Sequence, residues 1–202
     1  MRQLLIGYDI GSSSVKATLL DADSGKVVAA KGLPEVEMNI DSPQKDWAEQ
    51  DPELWWKYIK ETTKNIIAQG NVKAGEVKAI GISYQMHGLV MVDKDLSVIR
   101  PAIIWCDSRA VEIGNQAFSS LGSDYCLSHL LNSPGNFTAS KLKWVKENEP
   151  DRYEQIHKIM LPGDFIAMKL TGEILTSETG LSEGVFWDFL ESTQKEELEK
   201  LQ

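Results

Sequence analysis

Three short segments combine residue types that can do chemistry. The first is Asp9-Ile10-Gly11-Ser12-Ser13-Ser14-Val15-Lys16. A carboxylate such as Asp9, at the end of a buried strand, can hold Mg²⁺ through water. Gly11 lets the backbone turn tightly and come close to a phosphate. The hydroxyls and N–H groups of Ser12 and Ser13 can cradle phosphate oxygens, as successive backbone donors do in anion-binding turns, and Lys16 adds positive charge. The string is not a Walker A loop: G-x-x-x-x-G-K-[ST] is missing, and a strand pattern follows it. G-x-G-x-x-G is missing too, so a dinucleotide fold has no support. A plain hairpin turn rich in Gly and Ser fits equally well, and composition alone does not choose.

The second segment, Ser83-Tyr84-Gln85-Met86-His87-Gly88, lies between predicted strands over Val77–Ser83 and Leu89–Val92. An amide, a thioether and an imidazole in one loop suit a polyol, with hydrogen bonds from Gln85 and His87 and an apolar wall from Met86. A lone histidine at a strand end is nevertheless more often structural. The third segment runs from Arg100 to Arg109 and contains Trp105-Cys106-Asp107-Ser108-Arg109. Asp107 can N-cap the following helix, with Arg109 in its first turn reaching a carboxylate or carbonyl. Alternatively, Trp105, Asp107 and Arg109 form or brace a binding cleft.

The elements that must position these residues follow from periodicity. Leu4 to Ile10 is a mostly apolar run with β character. Val15, Ala17 and Leu19 alternate with Lys16 and Thr18, the period of two of a second strand. Asp23-Ser24-Gly25 marks a turn, and Lys26 to Lys31 reads as a third strand. The chain thus opens as an antiparallel three-stranded meander. Asp51-Pro52-Glu53 starts a helix, with Trp55, Ile59, Thr62 and Ile66 at helical spacing and an end before Gly70. Further strands are predicted at Ile103-Ile104 and Ile156–Leu161, and further helices at Ser108–Leu121, Ser140–Glu147 and Asp164–Leu170. Thr193 onward reads as a charged helix with no partner element, as in a chain cut short.

Length and charge bound the rest. The chain has 202 residues, with 21 Lys+Arg against 30 Asp+Glu and a formal net charge of −9, which disfavours nucleic acid and anionic lipid as partners. Any nucleotide would be held by local backbone donors and Mg²⁺. Cys106 and Cys126, the two cysteines, have no metal-type spacing and read as reduced thiols of a cytoplasmic protein. The apolar run after Met1 is too short, and too soon charged, for a signal peptide or membrane span. Pairing of two copies as a homodimer is left open.

The element order, three antiparallel strands, then a helix and further strands, resembles the ribonuclease-H-like (actin-like ATPase) domain: an α/β fold with a mixed sheet opening on the meander and helices on both faces. Asp9–Ser13 resembles the first phosphate loop, D-x-G-[ST]-[ST], of the sugar kinase, heat-shock chaperone and actin superfamily. That motif alone leaves a nucleotide-driven assembly protein open. Ala79-Ile80-Gly81-Ile82-Ser83 with Gln85-Met86-His87-Gly88 is similar to the xylulokinase branch of the FGGY carbohydrate kinases, in which the Met-His pair lines the sugar pocket. Arg100–Arg109 resembles the family's R-P-A-I-L-W-x-D-x-R, Trp47–Trp56 its W-x-E-Q-D-P-E-x-W-W, and Phe137–Val145 its first signature. Leu161-Pro162-Gly163-Asp164-Phe165 and Leu170-Thr171-Gly172-Glu173 fit as well. Asn136 stands where Gly or an aromatic is more usual, and Thr176–Gly180 departs from T-D-x-S-x-A. The resemblance runs from Ile6 to Asp188.

It implies that residues 1–202 form the amino-terminal domain of a kinase that moves the γ-phosphoryl of MgATP to D-xylulose. Asp9, Gly11, Ser12, Ser13 and Lys16 would serve phosphate and metal, and Met86 and His87, with Gln85, Trp105, Asp107 and Arg109, the sugar. The general base would be an aspartate of a second domain, since no Gly-Gly-x-Asp-type segment is found here. A kinase for gluconate, ribulose or glycerol is the alternative within the class.

Overall fold

The computed structural model describes residues 2–190 and the backbone of the strand at 193–194. In chain order the elements are β1 (Leu4–Ile10), β2 (Val15–Asp21), β3 (Val27–Leu33), β4 (Glu49–Gln50), α1 (Pro52–Gln69), β5 (Val77–Tyr84), β6 (Val90–Val92), β7 (Ala102–Ile103), α2 (Val111–Leu121), α3 (Ser123–Tyr125), a π-helical turn (Cys126–Leu130), α4 (Thr138–Asn148), α5 (Pro150–Tyr153), β8 (Lys158–Met160), α6 (Pro162–Thr171), α7 (Glu178–Glu183), β9 (Trp187–Asp188) and β10 (Thr193–Gln194).

The first five long elements make the platform. Strand order in the main sheet is β3-β2-β1-β5, with β1 antiparallel to β2 and parallel to β5. The alternation read for β2 is realised, with Val15, Ala17 and Leu19 in the core; in β1, read as an apolar run, Leu4, Ile6, Tyr8 and Ile10 point the same way. Helix α1 covers this face. Its N-cap is Asp51, which accepts the Glu53 N–H at 2.9 Å, with Pro52 in the first turn. Trp55, Ile59, Thr62 and Ile66 form its buried stripe. The helix ends against β2 at Gly70, where a Cβ would stand 2.6 Å from the Leu19 side chain, so the close approach requires glycine. Tyr8 reaches across to Thr63 at 2.7 Å. Helix α6 packs on the same face beside α1, and a Cβ on its Gly163 would collide with the ring of Tyr84. On the opposite face Gly7, Asp9, Ala79 and Gly81 are exposed. Among the described residues, the helices packed on this sheet therefore share one face, where the sequence predicts helices on both.

A second apolar cluster, Leu89, Met91, Ile103, Leu142, Val145 and Phe186, sits under the short pairs β4–β7 and β6–β8. It anchors α4 and the segment after β5.

Two further expectations change. The helix after Asp107 starts at Val111, and Ala110 precedes it with no side-chain cap. Asp107 cannot cap it because its carboxylate already accepts the N–H groups of Ala48 at 2.6 Å and Arg109 at 2.9 Å. Thr193–Gln194 pairs as a strand with β9, and the rest of the charged helix expected there lies outside the described residues.

Candidate functional site

The β1–β2 turn and the loop after β5 meet because β1 and β5 run parallel and in register. Asp9 lies beside Ser83 and Ile10 beside Tyr84, and the Gln85 N–H donates to the Ile10 carbonyl at 2.8 Å. Both loops leave the carboxyl ends of adjacent strands, the place where open α/β sheets bind ligands.

The turn is held from behind. Gly11 N–H donates to the Ser14 carbonyl at 3.0 Å, Gln50 Nε2 to the Ser12 carbonyl at 2.6 Å, and Met38 N–H to the Ser13 carbonyl at 2.8 Å. With the carbonyls tied inward, the N–H groups of Ser12 and Ser13 meet no protein acceptor among the described residues. That arrangement suits an anion. Asp9 is 51% exposed and has Lys16 Nζ at 3.3 Å. One solvent-facing carboxylate fits Mg²⁺, which binds through few protein ligands and keeps several waters. Among the described residues no group of three or more His, Cys, Asp or Glu could form an all-protein metal cage.

Gln85 is placed differently from what its type suggested. Its side chain is buried, its Nε2 donates to Gln50 Oε1 at 3.3 Å, and Gln50 in turn holds the phosphate turn. It therefore supports the turn from below. Met86 is 54% exposed and offers its thioether to the cleft. His87 takes the left-handed conformation, φ 59°, which costs a residue with a Cβ about 1–2 kcal/mol. Its ring packs on Phe137 at 4.1 Å between centroids, and its Nδ1 is buried without a partner. Burial, and then the charge of Lys141, push the His87 pKa below its ordinary value, so the imidazole is neutral at pH 7.

Trp105 stands 48% exposed at the cleft edge, with its Nε1 donating to Ser12 Oγ at 3.3 Å. It ties the segment after β7 to the β1–β2 turn. Asp107 and Arg109 lie beneath, fully buried and nearly so. Arg109 grips Asp107 at 2.7 Å and Glu49 at 2.7 Å, and its guanidinium lies 3.7 Å from the Trp47 ring centre and 4.9 Å from that of Trp144. Glu49 also pairs with Arg100, which pairs with Glu149. The pair thus braces the cleft through a buried ladder of alternating charge. Asn136 adds to the brace by donating from Nδ2 to the Trp105 and Asp107 carbonyls.

Two residues escaped the sequence reading. Lys141 is fully buried, donates to the His87 carbonyl at 2.7 Å, and has its pKa pushed down to about 8, chiefly by burial. Its signal was available, because Thr138, Lys141, Leu142 and Val145 form the apolar stripe of α4 and a lysine there cannot face water. Glu183, at the end of α7, accepts the His87 N–H at 2.7 Å and lies near enough to Tyr84 for its charge to act on the hydroxyl. Burial first, then the charges of Glu183 and Asp164, drive the Tyr84 pKa upward. No motif pointed to Glu183. A cavity of about 630 Å³ lined by Leu142, Met160, Leu161 and Asp164 lies apart and contains none of the loop residues described above.

Residues 4–201 match the FGGY family of carbohydrate kinases, N-terminal domain. The chain belongs to this family. Among FGGY relatives, it is 37% identical to a xylulose kinase of Klebsiella pneumoniae over 184 residues, which is 91% of this chain and 36% of that protein. It is 36% identical to a xylulose kinase of Escherichia coli K12 over the same share of both chains. The fold superimposes on the crystal structure of a xyloylose kinase from Brucella ovis with a TM-score of 0.88 and 30% identity, covering 98% of this chain and 41% of that one. The architecture is accordingly the actin-like ATPase fold of FGGY sugar kinases. The chain spans roughly a third of the length of the curated FGGY relatives it matches. Among the described residues no helix is long and apolar enough to cross a membrane.

Proposed function

We propose that residues 1–202 are the phosphate- and sugar-binding domain of an ATP-dependent kinase that phosphorylates D-xylulose on its 5-hydroxyl. The observation that carries this is the convergence of the Asp9–Lys16 turn and the Met86–His87 loop at the carboxyl ends of β1 and β5, with Trp105 brought to Ser12 from the segment after β7. The kinship to xylulose kinases supports the choice of sugar.

In this reading the Ser12 and Ser13 N–H groups and Lys16 bind phosphate oxygens, while Asp9 orients the hydrated cation. Mg²⁺, when bound, neutralises charge on the transferring phosphoryl group. His87 offers a neutral imidazole to a sugar hydroxyl, Met86 and Trp105 wall the ring or chain, and Asp107 and Arg109 hold that wall in place. Binding at fixed geometry is most of what phosphoryl transfer asks of a protein. The carboxylates nearest the sugar loop are engaged elsewhere: Asp107 with Ala48 and Arg109, Glu183 with the His87 N–H. The base that takes the hydroxyl proton is, as the family resemblance implies, an aspartate of a second domain, and residues 1–202 alone do not turn over.

The test is a substrate panel on the longer protein with MgATP, together with calorimetric titration of the 202-residue chain with D-xylulose. Preferred phosphorylation of D-xylulose, and binding to the chain that weakens in His87→Ala, support the reading. Preference for gluconate or glycerol overturns the sugar assignment. Turnover by the 202-residue chain at ordinary kinase rates overturns the assignment of the base.

A further inference from the structure

Both polar ends of the His87 backbone unit are taken by charged side chains from distant elements, Lys141 fully buried and Glu183 partly so. Its N–H donates to Glu183 Oε1 at the end of α7, and its carbonyl accepts from Lys141 Nζ in α4, each at 2.7 Å. These two groups belong to the peptide planes on either side of the His87 Cα. Holding both fixes φ and ψ together, at a left-handed value that a histidine would otherwise leave. Phe137 closes the remaining direction by packing on the ring.

We propose that Lys141 and Glu183 are positioning residues for His87: a charged clamp that holds its strained backbone so that the imidazole faces the sugar cleft in one orientation. This deepens the sugar-site reading and rests on it. The clamp has a second effect. The titratable groups facing His87 are Lys141 and Glu183. Burial and the ammonium of Lys141 disfavour the imidazolium, while a hydrogen bond with the Glu183 backbone favours it. With Lys141 fully buried and its Nζ on the His87 carbonyl, the ring stays neutral.

The test uses Lys141→Met and the nearly isosteric Glu183→Gln in the longer protein, with thermal melting to verify folding. Lys141→Met should shift the pKa of the His87 ring, read by NMR, upward, and Glu183→Gln, by weakening the hold on the His87 N–H, should perturb the ring signals. Lys141→Met should raise the sugar KM about tenfold or more while leaving the ATP KM within about twofold. Because Lys141 acts through His87, the Lys141→Met/His87→Ala double variant should bind sugar no worse than His87→Ala. Multiplicative losses, or equal losses for sugar and ATP, overturn the proposal. His87 ring signals that stay put in both variants overturn it even if the enzyme phosphorylates no sugar. Failure of the sugar reading appears separately, as a wild-type protein that phosphorylates no sugar and that D-xylulose does not titrate.

Discussion

Lys141 makes stability depend on pH in a direction opposite to that of most paired lysines. Its ammonium has no exposed surface, and its pKa falls from 10.5 to about 8. Unfolding returns it to water, where it binds a proton up to the higher value. Between about pH 8 and pH 10.5 the unfolded chain therefore holds more protons than the folded one, and stability rises with pH. Below that window both states are protonated, and the full cost of burying the charge is present. Above it both are neutral, and the cost is gone. From pH 7 to pH 9.5 the gain is about 2 kcal/mol, from the two pKa values through the linkage relation. Other groups titrate over the same range, so the measurement is a difference. Urea unfolding of the wild-type chain and of Lys141→Met at both pH values removes the shared terms. The wild-type advantage over the variant should grow by about 2 kcal/mol on going to pH 9.5. An advantage that stays constant, or shrinks, would refute the claim that a charged lysine is buried there at neutral pH.

Three further outcomes are expected. If Asp9 serves the hydrated cation as proposed, Asp9→Asn should lower kcat of the longer protein about 100-fold or more with little change in sugar affinity; steady-state kinetics at saturating Mg²⁺ check it. Arg109→Met should cost about 3–5 kcal/mol in chemical denaturation, since Glu49 and Asp107 would each lose a buried partner, and Arg109→Lys should recover only part because a lysine cannot fork between them. Trp55→Ala should destabilise the chain by about 3–5 kcal/mol by opening a cavity under β1 and β2, leaving the loops' chemistry unaltered in whatever fraction stays folded.

The parts of the fold that could be read in advance are those where one physical rule acts alone. The β1–β2–β3 meander follows from the apolar run of β1, the alternation of β2 and the turn before β3, and α1 follows from Asp51-Pro52-Glu53 and the helical spacing of Trp55, Ile59, Thr62 and Ile66. Where two rules compete, the reading missed. Asp107 has the right type and place for a helix cap, but a 59-residue contact with Ala48 claims its carboxylate. Gln85 carries a polar group suited to a sugar, yet the ladder hydrogen bond from its N–H to Ile10 sends the side chain beneath the turn, to Gln50. Lys141 reads as solvent-facing by type and as core by position, and position prevailed. Helix α7 has only six residues, Glu-Thr-Gly-Leu-Ser-Glu, with weak helix propensity; its Ser177 cap, which accepts the Gly180 N–H, is visible only in three dimensions.

The ladder Glu149–Arg100–Glu49–Arg109–Asp107 beneath the cleft bears on how the molecule responds to heat. The hydration of charged groups becomes less favourable as temperature rises, so the penalty for keeping these five side chains away from water shrinks while their mutual attraction remains. Apolar burial gains no comparable increment. Added salt reaches such interior pairs poorly, so they are also insulated from changes in ionic strength. On warming, the ground under Trp105 should thus be among the last parts of the protein to soften, and the loops above it among the first.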